Sequence, residues 1–421
     1  MKRRDFLGMA LSGAALSSLA PLALAQSGAP RVVVAGGGFA GATCAKYLRR
    51  WSPTTQVTLV EANAEFVSCP MSNRVIGGTL GIRDLTRGYD TLAAHGVEVL
   101  RGRVAAIDPE ARQVRLADGA VLPYDRLVVA PGIDFAYETM PGFESAAARE
   151  TMPHAWRAGA QTRDLRHRVM TLPEGGVFAM HIPRAPFRCP PGPYERACLV
   201  ANAIKRGRSG GKVLVFDANP DILAKKDLFQ RAFRDEYADI IEYIPNAGFD
   251  EADTGAGVVG FDLHGRVPAD VWNVIPPQRA GALARDAGLA NIDQRWCEVD
   301  FLSYESRVVP GIHVIGDAVA SAPGLPKSAH MANQQAKVCA GAIASMFADR
   351  APGEDPIIAN TCYSFVNEKD AVHIAGVYRY DAARSTMVPV DGAGGLSAAP
   401  SSEEGFLAVA WVFNILNDTL V

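Results

Sequence analysis

Several features that would place this chain in a common class are absent from its 421 residues. It has no C-x-x-C-H motif, so it attaches no c-type haem itself, and no cluster of histidine and cysteine has the spacing of a metal site such as zinc. The net charge of −3 excludes a strongly basic surface for nucleic acid. No stretch reaches the roughly 18 apolar residues of a membrane span. The nearest, GFLAVAWVFNIL, predicts a docked amphipathic helix.

The first 25 residues have the pattern of an export signal rather than of a folded domain. Arg3 and Arg4 precede a weakly apolar run that ends in Ala-Leu-Ala at 23–25, an A-x-A cleavage pattern. The arginine pair favours the twin-arginine route over an ordinary Sec signal. We therefore expect a periplasmic protein that is exported after it has folded.

A glycine-rich turn follows the first predicted strand of the mature chain. RVVVA is a short β-branched run, GGGFAG follows it, and QVTLVE forms the next strand after a helix. Gly36, Gly38 and Gly41 form a G-x-G-x-x-G pattern that lets backbone N–H groups approach a pyrophosphate. Glu61, which closes the second strand, would bind ribose hydroxyls. The pattern predicts a dinucleotide-binding domain.

The remaining strand and helix patterns predict an α/β chain with more than one domain. Strands are predicted in VEVLRG, RVAAID, RQVRLAD, AVLPYDRLVVA, GGVFAM, KVLVFD, DVWNVIP and GIHVIGDAV, and helices near 154–170, 193–206, 221–238 and 328–344. We expect a discontinuous dinucleotide domain at 30–140 and 291–346, and a second Rossmann-like α/β domain at 141–290. The tail at 347–421 is predicted to be a mixed α+β domain.

The second domain lacks the glycine loop that a second nucleotide would need. Its strand-to-helix turn reads HIPRAPFRCPPGPYERA, with five prolines, one glycine and Cys189. Proline removes backbone N–H donors and fixes φ, whereas a phosphate-binding turn needs those donors. The turn is therefore unsuited to NAD(P)H and instead holds a cysteine rigidly.

Longer motifs resemble one flavoprotein family. The G-x-G-x-x-G turn with Glu61, PYDRLVVAPG with Gly132, and VIGDA with Gly316 look like the FAD domain of disulfide-reductase-like flavoproteins. SCPMSN, APFRCPPGPYERA, VIPPQRAG, PKSAHMANQQAKV and NTCYS resemble the flavoprotein subunit of flavocytochrome c sulfide dehydrogenase. The related flavoprotein of the periplasmic sulfur-oxidation (Sox) pathway is equally compatible. The resemblance runs from about residue 30 to the C-terminus.

This resemblance implies a reaction and residues that perform it. Cys189 and Cys362 would form a redox disulfide over the flavin, which hydrosulfide attacks, and the electron pair would pass to FAD. Glu195 matches a candidate acid/base position, although it is also a normal acid for a first helical turn. Arg184 and Arg188 would lower the pKa of Cys189. From the residues alone, Cys189 and Cys362 could equally be separate core thiols.

Further residues are implied to hold the flavin. Cys69 in SCPMSN matches the cysteine that binds FAD covalently, although Pro70-Met71 departs from the family pattern; a free thiol beside non-covalent FAD is the alternative. Asp317 would accept a hydrogen bond from the ribityl chain, and Lys327 with its helix would stabilise charge on the reduced flavin. The other four cysteines are expected in the core, at Cys44, Cys198, Cys297 and Cys339.

The expected partner is a separate c-type cytochrome subunit in a heterodimer, because this chain has no haem site and must pass electrons on. Three alternatives remain open. A sulfide:quinone reductase would have an exposed apolar C-terminal patch and no export signal. A non-catalytic or reactivating partner of a sulfur-oxidation complex would not turn over sulfide. An NADH dehydrogenase would need the glycine loop that the second domain lacks.

Overall fold

The computed structural model describes residues 28–421, and the predicted export signal at 1–25 lies outside this part of the chain. The helices of the described part are α1 (Phe39–Trp51), α2 (Ser72–Ile76), α3 (Asp90–Ala94), α4 (Ala146–Thr151), α5 (Ala160–Met170), α6 (Gly192–Gly207), α7 (Lys226–Glu236), α8 (Ala282–Asp286), α9 (Ala329–Phe347) and α10 (Ser402–Leu420). Short 3-10 turns lie at Ile82–Leu85, Tyr137–Thr139 and Gly316–Ala318.

The strands of the described residues form several separate sheets. They are β1 (Arg31–Ala35), β2 (Gln56–Glu61), β3 (Phe66–Val67), β4 (Thr86–Arg87), β5 (Val97–Arg101), β6 (Val104–Asp108), β7 (Gln113–Leu116), β8 (Val121–Pro123), β9 (Arg126–Val129), β10 (Ile133–Phe135), β11 (Val177–Ile182), β12 (Lys212–Asp217), β13 (Ile241–Ile244), β14 (Phe249–Asp253), β15 (Val258–Phe261), β16 (Gly265–Pro268), β17 (Val271–Val274), β18 (Gln278–Ala280), β19 (Ile312–Val314), β20 (Ile357–Phe365), β21 (Ala371–Asp381), β22 (Thr386–Pro389) and β23 (Gly395–Leu396).

A five-stranded parallel sheet carries the glycine-rich turn. Its order is β19-β9-β1-β2-β5, and every neighbouring pair is parallel. Val33 and Val34 are buried, as the continuous β-branched run predicts for a strand covered on both faces. The carboxyl ends of these strands meet at the edge where Gly36 leads into α1, the usual ligand-binding edge of such a sheet.

A second parallel sheet, ordered β13-β12-β11-β17, carries the proline-rich turn. This turn leaves the carboxyl end of β11 and enters α6, so it occupies the place in its sheet that the glycine-rich turn occupies in the first. A three-stranded antiparallel sheet, β14-β15-β16, extends this part of the chain between β13 and β17. The fold is therefore α/β with two parallel sheets, each of which presents one turn to a common site.

The C-terminal part adds an antiparallel sheet and one long helix. The sheet runs β20-β21-β22, with β23 paired to β21, and α10 packs against α1 and α9. Tyr47 of α1 donates to the Asp418 carboxylate at 2.5 Å, and Gly405 lets α10 approach the main chain, because a Cβ there would lie 1.9 Å from the Lys369 carbonyl oxygen. None of the helices in residues 28–421 combines the length and hydropathy that a membrane span requires.

Three predicted elements differ from the observed ones. AVLPYDRLVVA is two strands, because Tyr124 and Asp125 turn the chain from the β6-β7-β8 sheet into the parallel sheet through bonds to Arg112 and Arg31. The helix predicted at 154–170 begins at Ala160, after Gly159 with φ of 147°. The helix predicted at 221–238 begins at Lys226, because Lys225 is left-handed with φ of 56°.

Candidate active site

One cavity brings together segments that lie far apart in the sequence. It encloses about 1330 Å³, part of which is open to solvent. Its walls come from the glycine-rich turn, the segment around Cys69, the proline-rich turn, the start of α9, β20 and α10. The predicted site residues in this lining are Gly38, Cys69, Gly132, Cys189, Glu195, Gly316, Asp317 and Cys362.

Cys189 and Cys362 meet in this cavity as interacting free thiols. No bond joins the two sulfurs among the described residues, so the disulfide between them stays a prediction. The hydrogen-bonding influence of Cys362, together with burial, raises the pKa of the Cys189 thiol well above its usual value. The corresponding influence of Cys189, assisted by the charge of Lys225, lowers the pKa of the Cys362 thiol to about 7. Cys362 is therefore the more acidic of the two thiols.

The conformation of the proline-rich turn is held by contacts at Cys189. The φ of Cys189 is 58°, in the left-handed region, which a residue with a side chain adopts only where surrounding contacts impose it. Its N–H donates to the Lys327 carbonyl at 2.9 Å, and its carbonyl accepts from the Gly192 N–H at 2.9 Å. A Cβ on Gly192 would lie 2.9 Å from the Cys189 sulfur, so glycine leaves that sulfur room.

Four backbone donors of this turn are already occupied, including those of Cys189 and Gly192. Ala185 N–H donates to the Asn219 side chain at 3.0 Å, and Arg188 N–H donates to the Gln278 side chain at 2.9 Å. A phosphate group would need such donors free. The structure thus supplies a second reason, besides the prolines, why the turn does not suit a pyridine nucleotide.

The predicted lowering of the Cys189 pKa is confirmed for the charge of Arg188, whereas Arg184 has no such effect. Arg184 is exposed and does not line the cavity, and Arg188 donates to the Trp156 carbonyl and lies 3.7 Å from the Asp317 carboxylate. The net pKa of Cys189 is nevertheless raised, since the neighbouring Cys362, burial and the nearby Glu195 together outweigh Arg188.

Glu195 is a buried carboxylate that joins α6 to β20. One oxygen accepts from the Phe365 N–H at 2.9 Å and the other from the Asn73 amide at 2.8 Å. Burial raises its pKa despite these bonds. Glu195 therefore lines the cavity as a carboxyl group with a raised pKa, and it also fixes the strand that carries Cys362.

Arg196 supports this carboxylate and was not predicted from the sequence. Its guanidinium is fully buried, donates to the side chains of Asn73 and Asn273 at 2.9 and 2.8 Å, and lies 4.8 Å from the centre of the Trp156 ring. Burial lowers its pKa to about 9. An arginine one residue after a helix-start acid has no distinctive pattern, so only the fold reveals it.

Lys225 is a second missed residue. It is 4% exposed, and its ammonium donates to the Cys362 carbonyl at 2.7 Å and to the Ser364 hydroxyl at 2.9 Å. Its pKa is lowered by burial. In the sequence it stands beside Lys226 in a predicted surface helix, and nothing there distinguishes the buried lysine from the exposed one.

The glycine-rich turn has the form that a dinucleotide requires. A Cβ on Gly41 would lie 1.8 Å from the Gly36 carbonyl oxygen, whereas a Cβ on Gly38 would meet no atom within 4 Å. Gly41 thus allows close packing of turn and helix, and Gly38 faces the space where a pyrophosphate would lie. Gly36 and Glu61 line an adjoining cavity of about 980 Å³ on the other side of the turn.

Asp317 and Lys327 differ in how they relate to the main cavity. Asp317 lines it, and its buried Oδ1 has no hydrogen-bond partner, as expected of an acceptor awaiting a hydroxyl. Lys327 does not line it: the ammonium donates to the Asp317 carbonyl at 3.0 Å and lies 3.7 Å from the centre of the Trp296 ring. Lys327 therefore supports the Asp317 turn, and its stabilisation of charge on the reduced flavin stays a prediction.

Cys69 lines the main cavity, and the four remaining cysteines do not. Cys69 is half-buried, and its carbonyl begins the turn into α2 by accepting from the Ser72 N–H at 2.9 Å. The others are fully buried free thiols, at Cys44, Cys198, Cys297 and Cys339. Cys69 is thus the one thiol besides Cys189 and Cys362 that a ligand in this cavity can reach.

Three family models match successive parts of the chain. Residues 162–276 match the central part of the sulfide dehydrogenase [flavocytochrome c] flavoprotein chain. Residues 354–420 match the flavin-binding part of flavocytochrome c sulphide dehydrogenase. Residues 30–170 match the pyridine nucleotide-disulphide oxidoreductases.

Individual proteins show the same relationship. A sulfide dehydrogenase [flavocytochrome c] flavoprotein chain from Chlorobaculum thiosulfatiphilum is 60% identical over 48 residues, which are 11% of this chain and 100% of that sequence. Mouse mitochondrial sulfide:quinone oxidoreductase is 23% identical over 68% of this chain, but the match spans only 65% of that protein.

Among solved structures, the sulfide:quinone oxidoreductase of Aquifex aeolicus has a TM-score of 0.72 at 20% identity and covers 93% of this chain and 91% of its own. This likeness establishes the disulfide-reductase-like α/β fold. Two family models of one enzyme subunit and a 60% identical relative matched over its whole length agree on a more specific relationship. This chain belongs to the family of flavocytochrome c sulfide dehydrogenase flavoprotein chains.

Proposed function

We propose that this chain oxidises sulfide with bound FAD, through a redox disulfide between Cys189 and Cys362, and passes the electrons to a separate c-type cytochrome. The observation that supports this most strongly is the meeting of the two cysteines in a cavity that also presents the glycine-rich turn and the unpartnered Asp317 oxygen. Each feature alone is compatible with several functions, but together they match one flavin-linked sulfur reaction.

The described residues fit FAD on both sides of the glycine-rich turn. Gly38 and Asp317 would hold the pyrophosphate and the ribityl chain in the larger cavity, and Glu61 would hold the ribose of the adenosine half in the adjoining one. The start of α9 also lines the larger cavity, where its N-terminal dipole favours negative charge. When bound, FAD supplies an acceptor for the electron pair that leaves the cysteines.

The chemistry at the cysteines follows from thiol–disulfide exchange. Hydrosulfide attacks Cys189 of the disulfide, a new S–S bond forms on it, and the bond to Cys362 breaks with its electron pair on Cys362. Sulfide is oxidised to the sulfane level, and the disulfide is reduced. Glu195, whose pKa is raised by burial, would take the proton released as H₂S becomes hydrosulfide.

Replacing either cysteine tests this reaction. In Cys189→Ser and Cys362→Ser, the rate of anaerobic flavin bleaching by sulfide should fall by roughly two orders of magnitude or more, because no disulfide is available. Stopped-flow absorbance measures the rate. Cys198→Ala, which removes a buried thiol of α6 outside the cavity, should bleach at the wild-type rate. Full bleaching in both serine variants would refute the disulfide route, and an inert wild type would support a non-catalytic partner.

An exposed apolar face on α10 is the surface that we propose for the electron acceptor. Phe406 is 73% exposed, Leu407 44% and Phe413 40%, while Trp411 of the same helix lines the cavity. Such a patch marks an interaction surface. It is also what a sulfide:quinone reductase would present, so quinone reduction remains the second candidate, favoured by the fold likeness to the Aquifex protein.

The acceptor surface is tested by charge substitution. Phe406→Glu and Phe413→Glu should each raise the KM for cytochrome c by about tenfold, which corresponds to about 1.4 kcal/mol of interface energy. Flavin bleaching by sulfide should stay unchanged in both. Leu263→Glu is the matched control, because Leu263 is also 73% exposed but lies before β16, away from α10. Reduction of a short-chain quinone in preference to cytochrome c would identify a sulfide:quinone reductase instead.

We further propose that Cys69 carries the flavin covalently, since it is the one thiol besides the redox pair in the cavity lining. Mass spectrometry of the denatured mature chain should then show one FAD adduct, and Cys69→Ser should lose it while still binding flavin before denaturation. A wild-type chain that releases all its FAD on denaturation would contradict the attachment.

Finally, we propose that the protein works in the periplasm. The support is the arginine pair and the A-x-A pattern at 1–25, together with a cofactor that is acquired before export. Arg3→Lys with Arg4→Lys should leave flavin-loaded protein in the cytoplasmic fraction, whereas the wild type should fractionate with the periplasm. Wild-type protein found only in the cytoplasm would overturn this assignment.

A further inference from the structure

Lys225 places a buried ammonium group directly behind Cys362. It is 4% exposed, and its three hydrogen bonds go to the Cys362 carbonyl at 2.7 Å, the Ser364 hydroxyl at 2.9 Å and the Val372 carbonyl at 3.3 Å. These bonds use every donor of the ammonium, and they fix it on β20 and β21. None of the three acceptors carries a formal charge.

A buried ammonium whose hydrogen bonds all go to neutral acceptors is costly, so the groups that compensate it are informative. The ionisable groups that favour the charged form of Lys225, by raising its pKa, are from the strongest Cys362, Glu195, Cys189 and Glu404. The groups that shift the pKa of Cys362 are Cys189, Lys225 and Glu195. The ring of His330 in α9 accepts from the N–H of the preceding residue, Thr361. Cys362 is the strongest of the charges that favour the Lys225 ammonium, which makes its thiolate the main counter-ion of Lys225.

Lys225 and its sequence neighbour Lys226 differ in exposure and in the partners of their ammonium groups. Lys226 lies at the surface with its side chain 49% exposed and pairs with Asp221 at 2.5 Å. Lys225 is turned inward by its left-handed backbone, with φ of 56°. A lysine is rarely held in that conformation and buried unless the interior uses its charge.

We propose that Lys225 is a positioning residue of the sulfide reaction: its fixed ammonium stabilises the Cys362 thiolate that forms as the disulfide opens, and so directs hydrosulfide to Cys189. This inference rests on the proposed reaction at the two cysteines. In the step concerned, the bond from sulfide sulfur to Cys189 forms, the Cys189–Cys362 bond breaks, and the electron pair resides on Cys362. A thiolate opposite a fixed cation is the better leaving group.

Alkylation of the reduced holoprotein tests, without requiring turnover, whether the charge of Lys225 stabilises the Cys362 thiolate. Wild type, Lys225→Met and Lys226→Met are reduced, held under nitrogen and treated with iodoacetamide over a pH series, and peptide mass spectrometry measures the rates at Cys189 and Cys362. In wild type and Lys226→Met, Cys362 should react first. In Lys225→Met its rate at pH 7 should fall about fivefold, because a rise of the Cys362 pKa from about 7 by about one pH unit leaves about one tenth of the thiol ionised instead of half.

A second mass-spectrometric measurement shows which cysteine carries the sulfur atom added by sulfide. After one equivalent of sulfide, the persulfide should lie on Cys189 in wild type and on both cysteines in Lys225→Met. Superimposable alkylation profiles in wild type and Lys225→Met would overturn the role of Lys225 while leaving the sulfide reaction intact. Wild type that forms no persulfide would instead contradict the proposed function. If Lys225→Met fails to fold, faster alkylation of Cys189 than of Cys362 in wild type would still overturn the inference.

Discussion

The contact between Cys189 and Cys362 is the constraint on which the site depends. Cys189 lies in the turn after β11 and Cys362 lies in β20, far away in the sequence. They meet because β20 is fastened to the proline-rich turn and α6. The Glu195 carboxylate accepts from the Phe365 N–H, and the Lys225 ammonium donates to the Cys362 carbonyl. On the opposite side, the Cys189 N–H is held by the Lys327 carbonyl. A disulfide needs sulfur positions controlled to a fraction of an ångström, and these bonds supply that control.

The groups that hold the cysteines also set their acid–base difference. Charged side chains are rarely buried, yet Glu195, Arg196 and Lys225 are all buried around this pair. Arg196 donates to Asn73, and Asn73 donates to Glu195, so the position of the carboxylate is fixed through both residues. The outcome is an asymmetric pair, in which the pKa of Cys189 is raised and that of Cys362 is lowered. Asymmetry of this kind gives a disulfide a preferred direction of opening.

Local sequence patterns predicted the parts of the fold that local chemistry determines. The β-branched run, the glycines and Glu61 specify the first strand–turn–helix unit, because each glycine meets a steric requirement that can be read residue by residue. The proximity of Cys189 and Cys362 came from family resemblance and not from spacing. Lys225 and Arg196 could not be predicted, since their burial depends on tertiary packing of otherwise ordinary helix ends. The carbonyl acceptors of Lys327 and its position over the Trp296 ring could not be predicted either, because they depend on the fold.

Non-reducing peptide mapping of the oxidised, mature holoprotein determines whether Cys189 and Cys362 are joined. We expect one linked peptide pair that joins Cys189 to Cys362, and this pair should separate on one equivalent of sulfide as the flavin bleaches. The contrary result would be oxidised protein in which both cysteines are alkylated without prior reduction while sulfide still bleaches the flavin. That result would contradict the disulfide route.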